Sequence, residues 1–183
     1  MRPTFFPEIL GKKVGRKVCY YAQFFVKLAE RNFMARDKVV VYLYVAALVH
    51  WLVGLILTWA GGLGWFDGYL GLVELRFWGA ELAPAPARTQ QIWWLALFGA
   101  TLQSYSVYML ALVHIGNRLK TPLAWGSLMA GLVLWAPQDM LLSAQKAMWL
   151  HVWLDGLALF LLLPPLIWLY GHDRRFSYSN NIK

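Results

Sequence analysis

Three titratable side chains lie deep inside otherwise apolar stretches of this 183-residue chain: His50, His151 and Asp155. Polar groups at membrane depth are costly to keep there, which makes them the first place to look for chemistry. Twelve positions beyond Lys38, His50 stands about 18 Å along a helix, leaving about 12 Å to the far boundary of a core roughly 30 Å thick. Counted from Lys146, His151 and Asp155 stand about 8 Å and about 13 Å from that same boundary. Two imidazoles at matched depth on facing helices can each give an axial nitrogen to a b-type haem, or contact a quinone. A plainer arrangement needs no cofactor: a hydrogen bond from His151 to Asp155 at i,i+4, or from Asp155 to His50, satisfies the same groups. Proton or substrate handling by Asp155 is the third use of such a carboxyl.

The other polar residues point to helix adhesion. Gln103 and His114 are eleven residues apart, three turns, and so share a face, with Ser104, Tyr105, Ser106 and Tyr108 nearby. Such a seam joins helices in lipid, and His114 beside Arg118 reads as an interfacial group. Asp139, between Gln138 and Met140, suits the cap of a short segment over 140–145; with Ser143 and Lys146 it also forms a weak catalytic pattern. The chain holds no Gly-rich phosphate loop, HExxH, clustered Cys/His pattern, nucleophile elbow or paired carboxylates on one apolar stretch. No catalytic residue and no metal site is therefore expected. A lone Cys19 excludes an internal disulfide and is expected to be a small apolar residue on a helix face.

The elements that must position these groups are long and apolar. Residues 39–60 and 92–115 contain no Asp, Glu, Lys or Arg, and 147–170 contains Asp155 alone. About 20 apolar residues cross a bilayer core, so each stretch predicts a span. A shorter fourth, 121–136, opens on Thr121-Pro122 and is expected to stop at Pro137. Composition agrees: 60% apolar residues, 14% charged and 11 Trp, many of them at span ends, where amphipathic rings meet headgroups. The predicted fold is all-α, a polytopic membrane protein built as a four-transmembrane-helix bundle. Its expected parts are a basic arm over 1–38, a membrane domain over 39–170 with an outer interfacial segment at 61–91, and a tail over 171–183. The first span begins too late and runs too long for a cleavable signal peptide and is expected to stay as an anchor.

The net charge of +8 is concentrated rather than spread, which argues against nucleic acid. Residues 1–38 hold nine Lys/Arg against three acids, the short turn after 115 holds Arg118 and Lys120, and the tail holds Arg174, Arg175 and Lys183. That asymmetry predicts both termini on the cytoplasmic side of a bacterial inner membrane. Over 14–36 the apolar residues recur at three- and four-residue steps, the pattern of an N-terminal amphipathic interfacial helix. Lys12, Lys13, Arg16 and Lys17 beside it suit anionic lipid headgroups. In 83–87 two prolines predict an extended connector, and Pro164-Pro165 should free the carbonyls of Phe160 and Leu161 and bend the last span.

Gly126, Ser127, Ala130 and Gly131 form small-xxx-small pairs that let another helix backbone come close. Together these features lead to an expected non-enzymatic role: an accessory, scaffold or assembly subunit of a larger membrane complex, for example in secretion, pilus, conjugation or envelope machinery, with other membrane subunits as partners. The alternatives are a redox subunit using His50 and His151, and a small transporter or channel component using Asp155.

Overall fold

Helix is the only regular structure among the described residues, 35–79 and 83–180 of a computed structural model. Helix α1 is Ala35–Ala60. A single 3-10 turn, Gly64–Phe66, leads into α2, Asp67–Trp78. Then follow α3, Ala85–Leu119, α4, Pro122–Gln145, and α5, Trp149–Asn180. The expected amphipathic helix over 14–36 falls almost wholly outside the described residues, as do Cys19 and the basic set Lys12, Lys13, Arg16 and Lys17. The chain divides into two compact units, Met1–Val39 and Val40–Lys183. The second is described below.

Three helices are long and apolar enough to cross a membrane: α1, Pro86–Leu119 of α3 and Trp149–Arg175 of α5. This is consistent with a membrane protein. The expected fourth span does not join them. At 24 residues α4 has the length, but Gly126, Ser127 and Gly131 dilute its apolar part, and its last turns carry Gln138, Asp139, Ser143 and Gln145.

Pro137 behaves differently from the expectation: helix α4 does not stop there but continues to Gln145. Helix α5 likewise contains Pro164 and Pro165 within one helix. Where water is scarce, ending a helix orphans several backbone groups, whereas an internal proline orphans one carbonyl. The Leu161 carbonyl, which Pro165 cannot satisfy, accepts a hydrogen bond from the Tyr42 hydroxyl of α1 at 3.1 Å. Near the other end of the chain, the expected extended connector shrinks to Pro84, which is extended at φ −55°, ψ 140°. Pro86 sits in the first turn of α3, where its missing N–H costs nothing. Helix α3 therefore starts at Ala85 rather than residue 92 and carries Arg88 in its opening turn.

Among α2 to α5 the most extensive packing is α4 on α5. Helix α4 buries Ala124, Trp125, Leu128, Leu132 and Ala136 at helical spacing, and α5 buries Leu162, Leu166 and Leu169. The two are joined by Lys146, Ala147 and Met148, a tight hairpin in which the Ser143 carbonyl accepts from the amides of Lys146 and Met148. Ala147 holds a left-handed φ of 53° there. Helices α1 and α3 meet backbone to backbone at Gly54 and Gly99: a Cβ on Gly54 would lie 2.7 Å from the Gly99 carbonyl oxygen, and one on Gly99 2.6 Å from that of Gly54.

Candidate functional site

At one end of the bundle, side chains from α2, α4 and α5 converge on a polar cluster. Helix α2 reaches it because its own anchor is strong. Arg88 at the start of α3 grips Glu74 with a two-pronged fork, Nε to Oε1 at 2.6 Å and Nη2 to Oε2 at 2.9 Å, and reaches Asp67 Oδ1 at 3.2 Å. Hydrogen bonding to Arg88 holds the Glu74 carboxyl below its ordinary range. Leu70, 2% exposed, seals the inner face of α2, which leaves its neighbour Tyr69 turned toward α5.

The Tyr69 hydroxyl lies 3.1 Å from Nε2 of His151, and the two rings stack at 5.8 Å with 19° between their planes. Burial first, and the Asp139 carboxylate second, push the Tyr69 phenol above its ordinary value. It is therefore a neutral hydroxyl, able to donate to an imidazole or accept from an imidazolium. One turn past His151, Asp155 is 6% exposed, and its Oδ2 has no hydrogen-bond partner. Asp139 of α4 accepts from the Ser143 hydroxyl at 3.3 Å and lies within electrostatic reach of both Tyr69 and Asp155. The nearby basic residue Lys146 rests its ammonium over the Phe77 ring, 5.5 Å from the centroid.

The arrangement differs from each hydrogen-bonding scheme drawn from the sequence. No hydrogen bond joins His151 to Asp155, or either of them to His50. His50 bonds within its own helix, Nδ1 to the Ala46 carbonyl at 2.7 Å, and His151 is engaged by Tyr69.

Gln103 and His114 both tie α3 to α1. Gln103 Nε2 donates to Thr58 Oγ1 at 2.9 Å, next to the Gly54–Gly99 crossing, and the Tyr44 hydroxyl lies 3.4 Å from His114 Nδ1. Of the small residues of α4, Gly126 meets the Tyr170 ring, 3.4 Å from where a Cβ would stand, and Gly131 has open space around it. Ser127 and Ala130 are exposed with Gly131. Among the described glycines, Gly54 and Gly99 are the two that meet the backbone of another helix, a pair split between α1 and α3 that no single-helix pattern reveals.

Two further residues were hidden in the sequence. Tyr69 reads there as part of an apolar patch, although a phenol on a short amphipathic helix always needs a polar partner somewhere. Asp173 reads as surface charge because it adjoins Arg174 and Arg175, yet it is fully buried. Its Oδ2 accepts from Trp125 Nε1 at 2.9 Å, and its Oδ1 lies 2.9 Å from His172 Nδ1. Among the described residues no three His, Cys, Asp or Glu side chains gather as a metal site requires. Comparison with protein-family models, with curated proteins and with solved structures finds no match to this chain.

Proposed function

We propose that this chain is a non-enzymatic accessory subunit of a larger membrane protein complex, a scaffold or assembly component. In this reading α4 crosses the bilayer as a short fourth span, with both termini on the cytoplasmic side of a bacterial inner membrane. The observation that carries it is the outer stripe of α3. Ala100, Thr101, Ser104, Tyr108 and Ala111 are all exposed, and Tyr108, about 17 Å from the Leu119 end and so near mid-membrane, is 68% exposed. Its hydroxyl has no partner among the described residues, whereas Thr101 and Ser104 satisfy themselves on the Leu97 and Ala100 carbonyls. A bare phenol facing hydrocarbon is costly, and a stripe of small and hydroxyl-bearing residues is the surface that transmembrane helices turn to one another rather than to lipid. The open faces of Ser127, Ala130 and Gly131 on α4 are of the same kind.

The test is purification in a mild detergent from the native membrane. A stoichiometric partner should accompany the wild-type chain and be lost from Ser104→Leu and Gly131→Leu variants. The thermal unfolding of these variants should stay at the wild-type temperature, because the space beside Gly131 is open within the chain itself. Recovery of the wild-type chain alone, or full partner retention by both variants, would end this reading.

A further inference from the structure

We propose that Asp155 is a proton-binding site, with the Asp139 carboxylate setting its occupancy and the Tyr69–His151 pair reading it. Three independent observations meet here. The carboxyl is more than nine-tenths buried, since Asp155 is 6% exposed, and its Oδ2 is without a partner. An ionised carboxylate left so is costly in a low-dielectric surrounding, and a bound proton removes that cost. A second carboxylate, Asp139 on α4, stands within electrostatic reach, and two such anions resist being ionised together. The basic side chain closest in sequence, Lys146, is occupied over Phe77. The groups that face Asp155 are thus Asp139 from α4, His151 from its own helix and, through His151, Tyr69 from α2. Of these only His151 can offset its charge.

The consequence reaches α2 through one hydrogen bond. While a proton sits on Asp155, the Tyr69 hydroxyl donates to Nε2 of an imidazole with no anion one turn away. When that proton leaves Oδ2 for solution, the carboxylate it leaves behind makes the imidazole a stronger hydrogen-bond acceptor. The Tyr69 hydroxyl then donates to Nε2 more strongly. Proton release at Asp155 therefore tightens the hold of α5 on α2, and proton uptake loosens it. The site goes beyond the role of accessory subunit and does not depend on it.

The experiment is infrared spectroscopy of the whole chain in phosphatidylcholine nanodiscs, stepped across about pH 4 to pH 9, with backbone hydrogen exchange of α2 followed in parallel. The wild type should show a protonated-carboxyl band that fades as the pH rises, and this band should be lost in Asp155→Asn. In Asp139→Asn its midpoint should move to lower pH, a proton affinity about tenfold weaker, because a like charge that favoured the neutral acid is gone. Tyr69→Phe should keep the band while removing the pH dependence of α2 exchange. A wild type without a titrating carboxyl would overturn the proposal, as would a band that survives in Asp155→Asn. A midpoint that moves when Na⁺ is replaced by choline would also overturn it, reassigning the oxygen to a metal cation.

Discussion

Helix α5 carries two buried aspartates, Asp155 and Asp173, eighteen residues apart. Eighteen residues are five helical turns, so both face the same side, about 27 Å from one another. Each has a histidine within a turn, His151 and His172, and each faces α4. The difference is in how their oxygens are used. Both oxygens of Asp173 are engaged, one by the Trp125 indole and one by His172, while Oδ2 of Asp155 has no partner. A buried carboxylate with its lone pairs filled is a joint that locks helices. One with an oxygen left open pays no such structural role back to the fold, and keeps the freedom to change its charge.

The comparison is easiest to break by truncating the aromatic partner at each end. Trp125 is fully buried, and its ring lies against Gly116 of α3, where a Cβ would come within 2.6 Å. Trp125→Ala removes this packing and the bond to Asp173 together and should cost about 3–5 kcal/mol. Tyr69→Ala, at a half-buried residue of a twelve-residue helix, should cost about 1 kcal/mol. Unfolding in detergent, followed by circular dichroism, measures both. Equal losses would show that the two ends are equivalent joints and that the distinction between them is false.

The aspartates themselves give the next effect. Asp173→Ala leaves the Trp125 N–H buried without an acceptor and should destabilise by about 1–3 kcal/mol, whereas Asp155→Ala removes a carboxyl whose Oδ2 satisfies no donor and should be neutral or stabilising. The same detergent unfolding decides between them, and a large loss from Asp155→Ala would contradict its open bonding. This contrast also shows what a linear chain can and cannot disclose. Asp155 stands out in sequence because its neighbours on either side are apolar. Asp173 does not, because it sits in a run of charge and its partner Trp125 is 48 residues away. The long apolar helices are legible for the same reason that Asp155 is: composition over twenty residues is a local property. The stop assigned to Pro137 is not, since an internal proline costs a helix short of solvent less than ending it would, nor is the start of α3, since Pro86 suits a first helical turn as well as an extended connector. The pairing of Gly54 with Gly99, and of Tyr69 with His151, depends on which helices become neighbours, and no spacing within one helix encodes that.

The smallest effect separates the open oxygen from the turn beside it. Ala147, in the hairpin that joins α4 to α5, holds φ at 53°, a conformation costing roughly 1–2 kcal/mol for a residue with a Cβ. Glycine relieves that cost but adds freedom to the unfolded chain, so Ala147→Gly should stabilise by a net of about 0.5–1 kcal/mol. The hairpin also sets the register of Asp139 against Asp155. If the unpartnered Oδ2 were a by-product of strain in this turn, relaxing the turn would let the carboxyl find a donor, and its infrared band would shift. If the opening is a property of the α4–α5 packing, the unfolding temperature rises while the band keeps its wild-type midpoint. The second outcome is expected, because the same α4–α5 interface seats Asp173 fully bonded at its other end without any help from Ala147.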